Sequence, residues 1–159
     1  MKPEPKHEPK GKGSDKLIGK VILITGTDSG IGKATAILFA REGADIAFVY
    51  LSEDKDAKET KKAIQNEVQK CLIIKTDISK ESNCKKAIDK TLEAFNKIDI
   101  LINNASMHWE KNTMENITSE QVDKTLKINF YSCFWMSKYN VPHLKKRLNH
   151  SKYYFHYGI

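Results

Sequence analysis

The sequence lacks any apolar run long enough to cross a lipid bilayer, which requires about 20 consecutive apolar residues. Its apolar runs are much shorter than that. Residues 1–16 are charged and contain proline, and they have none of the apolar stretch that marks a secretory signal peptide. We therefore expect a cytoplasmic protein with no membrane partner.

Cysteine is scarce, which limits the chemistry that it can supply. Cys71, Cys84 and Cys133 lie far apart and do not show the spacing of metal ligands. Their segments have buried or helical patterns, so we expect reduced thiols without a chemical role, and no metal site.

Acidic residues are outnumbered by basic ones, and the formal net charge is +7. Such an excess can indicate a nucleic-acid partner, but only where the charge gathers on one surface. Here the lysines are scattered and mostly interleaved with acids, a pattern typical of a solvated surface. We expect no specific nucleic-acid partner.

The chain divides into three parts by composition. Residues 1–16 combine Pro, Gly, Lys and Glu with no apolar residue after Met1, which predicts a flexible basic leader. Residues 17–146 alternate short apolar runs with amphipathic stretches and form the expected domain. Residues 147–159 make up the tail.

The alternation within 17–146 predicts an α/β fold. Because a parallel crossover is right-handed in nearly all proteins, these units predict a doubly wound parallel sheet with helices on both faces. The strands are expected at 21–26, 45–51, 71–77 and 97–105, and the helices at 32–42, 54–69, 80–96 and 119–144.

A glycine-rich turn lies between the first strand and the first helix. Gly26 permits a tight turn, Gly30 lets backbone N–H groups approach a pyrophosphate, and Gly32 lets the helix pack closely. The turn is therefore expected to bind a dinucleotide through Gly26, Thr27, Asp28, Ser29, Gly30, Ile31 and Gly32.

A phosphate-binding P-loop is the competing interpretation, because Gly32 and Lys33 form a Gly-Lys pair. That motif needs an earlier glycine at the position of Thr27 and a Ser or Thr at the position of Ala34. The spacing therefore excludes it.

The turn resembles the signature Thr-Gly-x-x-x-Gly-x-Gly of the short-chain dehydrogenase/reductase family, which residues 25–32 match in full. Asp77, after the third strand, matches the family's adenine-contacting Asp. Residues 103–105 match its Asn-Asn-Ala-Gly motif, with Ser106 in place of the final glycine. Asn129 falls on the long helix where the family places its active-site Asn.

The resemblance covers about residues 17–146 and is to a bacterial subgroup with an extended amino terminus. It implies a Rossmann-like sheet, incomplete because the family's carboxy-terminal strands are missing, and an NAD(P)-dependent oxidoreductase acting on alcohol, carbonyl or sugar substrates. Beyond the turn, it places Tyr50, Leu51, Ser52, Asp77, Ile78, Asn103, Asn104 and Ala105 at the cofactor.

Three of these matches have a structural alternative. Asp77 can cap the third helix, Asn104 can satisfy backbone groups between strands, and Asn129 can be an ordinary polar helix residue.

The choice of cofactor depends on the end of the second strand, where an acid would accept the ribose hydroxyls of NAD and repel the 2′-phosphate of NADP. Tyr50, Leu51 and Ser52 stand there, and Glu53 and Asp54 follow. Ser52 favours NADP while the two acids oppose it. We lean to NADP and leave NAD open.

The family's catalytic Ser and its Tyr-x-x-x-Lys pair, which supply general acid chemistry, have no match in these residues. Asn129 is the only catalytic match. We therefore expect no hydride transfer and the loss of the family's usual homo-oligomer contacts. The alternative is a nucleotide-binding half-domain that acts as a regulatory or complementing interaction module.

The tail departs from the family's next strand. Suitable codons for residues 147–155, read one base earlier, encode Gly-Ser-Thr-Ile-Leu-Asn-Thr-Thr-Ser, which is the expected strand. We hypothesise that an inserted adenine in the Lys145-Lys146 codons shifted the frame. The alternative is a divergent tail, and the gene sequence decides between them.

Overall fold

The computed structural model describes residues 13–27, 30–110 and 113–145. Most of the predicted leader, Asp28 and Ser29 of the glycine turn, and the whole predicted tail lie outside the described residues. None of the helices in the described part is both long and apolar enough to span a membrane.

Four parallel strands form one sheet in the order β3-β2-β1-β4. The strands are β1 (Val21–Thr25), β2 (Asp45–Tyr50), β3 (Cys71–Lys75) and β4 (Ile100–Ile102). The chain leaves β1 toward β2 on one side, and β4 pairs with β1 on the other, so the strand order reverses at β1. A crevice at the carboxyl ends of the strands is expected at such a reversal. The predicted α/β fold is confirmed.

Three helices follow the first three strands, namely α1 (Gly30–Arg41), α2 (Asp54–Asn66) and α3 (Glu81–Phe95). After β4 come a single 3₁₀ turn (Met114–Asn116), α4 (Ser119–Leu126), a π-helical segment (Lys127–Tyr131) and α5 (Ser132–Lys145). The predicted long helix is therefore present, but a π-helical segment interrupts it. The helix α4 begins with a full capping box between Thr118 and Gln121.

The core has two layers because successive strand residues point to opposite faces of the sheet. One layer joins β1 and β2 to α1 and α2, through residues such as Ile22, Phe48 and Ile64. The other joins the sheet to α3 and α5, through residues such as Leu23 and Met136. All five residues of β1 are buried, as its central position requires.

The end of the predicted leader is docked onto the domain. The backbone N–H groups of Ser14 and Lys16 and the hydroxyl of Ser14 all donate to Glu42 Oε2, at 3.0, 3.3 and 2.8 Å. The hydroxyl of Ser14 holds the pKa of Glu42 below its usual value. These contacts hold Ser14 and Lys16 against the domain, which composition alone does not reveal, because they depend on one carboxylate far along the chain.

Candidate functional site

A cleft of about 770 Å³ opens at the carboxyl ends of the four strands, and we refer to it as the strand-end cleft. It lies where the strand order reverses. Of the residues predicted for the cofactor, it is lined by Gly26, Gly30, Ile31, Gly32, Tyr50, Leu51, Ser52, Asp77, Ile78, Asn104 and Ala105.

Several predicted residues do not line this cleft. Thr27 is fully buried, and its hydroxyl has no hydrogen-bond partner among the described residues. Asn103 is exposed, and its Nδ2 lies 3.4 Å from Ser137 Oγ. Asn129 is also outside the lining. Asp28 and Ser29 lie outside the described residues.

The lining also includes residues that the sequence did not assign to the site. These are Val49, Glu53, Thr76, Ser106, Met107, His108 and Ile128. Most of them stand beside a predicted residue at the end of a strand, so strand ends alone give a signal for them. Ile128 comes from the π-helical segment, which no local pattern predicted.

In the glycine turn, two glycines pack too closely against neighbouring atoms to admit a side chain, and one glycine has free space beside it. A Cβ on Gly32 would lie 2.0 Å from the carbonyl oxygen of Gly26 and 2.6 Å from Asn104 Nδ2, so no side chain fits there. Gly26 has φ +71, and a Cβ on it would meet the backbone of Ala105 at 2.7 Å. Gly30 has φ +57, and no atom of the described residues lies within 4 Å of an added Cβ, so its backbone faces open space there.

Asn104 ties the glycine turn to the end of β4. Its Nδ2 donates to the carbonyl oxygens of Thr25 and Gly26, at 3.1 and 2.7 Å. In return, Thr25 Oγ1 accepts from the backbone N–H groups of Asn104 and Ala105, both at 3.1 Å. Asn104 therefore satisfies backbone groups between strands, and these contacts fix the turn that lines the cleft.

Asp77 combines a place in the cleft with a local structural contact. Its Oδ1 accepts from the backbone N–H of Ser79 at 2.9 Å, and its carbonyl accepts from Asn83 Nδ2 at 2.9 Å. The loop between β3 and α3 is held by these bonds. Asp77 does not cap α3, because the N-cap position is Lys80, which makes no capping bond.

The end of β2 carries an ion pair that also involves a tyrosine. Lys75 Nζ donates to both carboxylate oxygens of Asp54, at 2.9 and 2.7 Å, and the hydroxyl of Tyr50 donates to Asp54 Oδ1 at 2.8 Å. The hydrogen bond from Lys75 lowers the pKa of Asp54 and raises that of Lys75, whereas burial is the main cause of the raised pKa of Tyr50.

Asn129 binds the loop that follows β4. Its Oδ1 accepts from the backbone N–H of Met107 at 2.7 Å, and its Nδ2 donates to the Met107 carbonyl at 2.8 Å. Met107 lines the strand-end cleft. Asn129 therefore holds one wall of the cleft through the backbone of Met107.

Comparison with known proteins gives the family. The model of the short chain dehydrogenase family matches residues 20–150. General stress protein 39 of Bacillus subtilis is 49% identical over 146 residues, which cover 91% of this chain and 51% of that protein. The chain spans about half the length of the curated relatives it matches.

Solved structures agree in fold. The NADH-dependent reductase A1-R' complexed with NAD matches with a TM-score of 0.77 and 33% identity, covering 84% of this chain and 55% of that one. A short chain dehydrogenase from Burkholderia cenocepacia in complex with NADP matches with a TM-score of 0.77 and 31% identity, covering 80% and 52%. The chain therefore belongs to the short-chain dehydrogenase/reductase family.

Proposed function

We propose that the strand-end cleft binds a nicotinamide adenine dinucleotide, and that these residues form the nucleotide-binding half of an oxidoreductase. The observation that carries the proposal is the open backbone at Gly30, at the amino terminus of α1, inside a cleft bounded by Asp77 and the end of β2. A helix amino terminus with free N–H groups favours a pyrophosphate.

The rest of the nucleotide follows from the direction of the strands. The adenosine ribose lies at the end of β2, beside Tyr50, Leu51 and Ser52, as is general for this kind of sheet. Asp77 and Ile78 then border the adenine, in line with the family resemblance. Asn104 and Ala105 support the turn from the side of β4.

We propose NADP as the cofactor, with NAD as the alternative. Ser52 is exposed at the rim of the cleft, where a hydroxyl can donate to a 2′-phosphate. Its present acceptor is Glu53 Oε1, at 3.2 Å. One similar solved structure holds NAD and another holds NADP, so the family admits both.

We further propose that this chain does not transfer hydride. No tyrosine in the sequence is followed four residues later by lysine, so the proton transfer that accompanies hydride transfer has no general acid of the family's type. Asn129 uses one amide donor and one acceptor lone pair on the backbone of Met107. We propose oxidation of an alcohol or sugar, or reduction of a carbonyl, only for a chain that also carries the family's catalytic residues.

A complementing role is the second candidate, because one surface is suited to it. A stripe of half-exposed apolar side chains runs along α4, the π-helical segment and α5, at Val122, Leu126, Phe130 and Phe134. A contiguous apolar surface of this kind is typical of an interaction site.

The test is a calorimetric titration of the full chain with NADP and NAD, with circular dichroism to show that it is folded. Two variants at Gly30 give a matched pair, because Asn and Asp both tolerate a positive φ and have the same shape. We expect G30D to weaken binding at least about tenfold more than G30N, since only Asp repels the pyrophosphate. Equal affinities of the two variants would contradict the proposed place of the pyrophosphate.

Hydride transfer is tested separately by absorbance of the reduced nicotinamide with a panel of alcohols, aldehydes and sugars. We expect no turnover above the buffer rate at nucleotide concentrations that saturate binding. Turnover that tracks the chain through purification would contradict the proposal for this chain.

A further inference from the structure

A predicted site residue, Tyr50, meets a residue outside the predicted site, Lys75, at the end of β2. Tyr50 and Lys75 are register partners on the neighbouring strands β2 and β3. Tyr50 is buried and lines the strand-end cleft, whereas Lys75 is exposed and lies outside the lining. The register therefore brings a lysine to the rim of the proposed ribose position without placing it in the cleft.

Asp54 joins the two side chains. Its carboxylate accepts two hydrogen bonds from Lys75 and one from the hydroxyl of Tyr50. The pair is close, with 2.7 Å between Lys75 Nζ and Asp54 Oδ2. Asp54 is thus neutralised by Lys75 and held beside the hydroxyl of Tyr50.

The charge of the cleft makes this neutralisation matter. Its lining includes the acids Glu53 and Asp77, and no lysine or arginine among the described residues. Asp54 follows Glu53 directly, so an uncompensated carboxylate there would add a third negative charge near the ribose. The Coulomb cost would fall on a 2′-phosphate far more than on a ribose hydroxyl.

We propose that Lys75 is a positioning residue for cofactor choice: by neutralising Asp54 at the end of β2, it permits the 2′-phosphate of NADP in the strand-end cleft. This inference rests on the proposed binding of a dinucleotide. It assigns the tolerance for NADP to a residue of β3 that need not touch the nucleotide. Lys75 acts through Asp54 and through the Tyr50 ring that the pair holds in place.

Three variants separate charge from packing. Lys75→Met removes the charge and keeps a side chain of similar length. Lys75→Arg keeps the charge and can pair with both carboxylate oxygens. The double variant D54N/K75M removes both charges, while the Asn oxygen can still accept from the hydroxyl of Tyr50.

The measurement is the ratio of the dissociation constants for NADP and NAD, by calorimetry on the full chain, with circular dichroism confirming the fold of each variant. We expect K75M to weaken NADP relative to NAD by roughly fivefold. K75R and D54N/K75M should keep this ratio within about twofold of the parent value. In both variants the summed charge of positions 54 and 75 is unchanged. The K75M effect should shrink as salt is added.

The outcomes distinguish the inference from the proposed function. A K75M variant with an unchanged ratio, or with equal losses for both nucleotides, would overturn the inference and leave dinucleotide binding in place. A folded parent chain that binds neither nucleotide would contradict the proposed function itself and the inference with it.

Discussion

At the scale of single residues, the glycine turn depends most on Gly32. A Cβ there would lie 2.0 Å from the carbonyl oxygen of Gly26, a distance that only a shift of the backbone can relieve. We expect G32A to lower the free energy of unfolding by about 2 kcal/mol or more and to reduce nucleotide binding, both measured on the same preparation by urea unfolding and calorimetry.

Gly19 provides the control, because its φ is +67 and no atom in the described part of the chain lies within 4 Å of an added Cβ. G19A carries backbone strain alone, about 1 kcal/mol, at a distance from the cleft. We expect it to leave nucleotide affinity unchanged. If G32A lowered the free energy of unfolding no more than G19A does, the close approach of Gly26 would not exclude a side chain at position 32.

Two thiols give a prediction that depends on pH. Burial raises the pKa of Cys71 and of Cys84 to about 12, from an ordinary value of 9.0. Because the folded state keeps these protons longer than the unfolded state, the stability they contribute is fully present below pH 9 and is lost as the pH rises toward about 12. At pH 8 we expect Cys71 and Cys84 in the folded chain to react with a disulfide reagent about a hundredfold more slowly than in the urea-unfolded chain. Comparable rates would show that the core is open.

Residue positions were predictable where a motif has a fixed order and not where side chains meet across strands. Gly26, Gly30, Gly32, Asp77 and Asn104 follow strand ends in the sequence, so their arrival at one cleft was predictable, whereas their binding of a dinucleotide stays a prediction. The contact of Lys75 with Asp54 depends on the register of β2 with β3, which the sequence does not display. Asn103 was assigned to the site with its neighbour, but it is exposed outside the lining.

At the scale of elements, the interruption of the long helix is held by Asn129. Its two bonds to the backbone of Met107 connect the π-helical segment to the loop after β4. We expect N129A to lower the free energy of unfolding by about 1 kcal/mol, the usual net worth of such bonds at a partly solvated position. It should also speed hydrogen exchange at Met107, measured by mass spectrometry.

Lys127 lies in the same segment and supplies a control. Its ammonium group pairs with Asp123 across one helical turn at the surface, and such pairs contribute little. K127A should change the free energy of unfolding by less than about 0.5 kcal/mol. Equal effects of N129A and K127A would mean that the bonds to Met107 do not hold the element.

Helix and strand positions were predictable because apolar residues recur with the period of each element. The π-helical segment was not, because local composition carries no signal for it; its Asn129 contacts Met107, 22 positions away in the chain. The docking of residues 13–16 was missed for the same reason, since the acceptor is Glu42, which lies 28 positions after Ser14 in the sequence.

At the scale of the whole molecule, the described part leaves β4 at an edge of the sheet and exposes the apolar stripe of α4 to α5. Phe130 and Phe134 are 55% and 49% exposed. We expect the chain to self-associate with rising concentration, since contiguous apolar surfaces drive association. The double variant F130E/F134E should remain monomeric to higher concentration in light scattering.

Val68 gives the matched control, being 90% exposed but outside the stripe. V68E adds a charge elsewhere on the surface and should not change association to the same degree. A similar gain from V68E would show that an added surface carboxylate anywhere suffices, and that loss of the apolar stripe is not the cause.

The most direct test of the account is hydrogen exchange of the full chain with and without saturating NADP. Binding in the strand-end cleft predicts slower exchange in peptides that contain residues 25–32, 50–53 and 76–78, and unchanged exchange on the outer faces of α2 and α3. Protection that is absent from the glycine turn, or that lies only on the apolar stripe, would contradict the account.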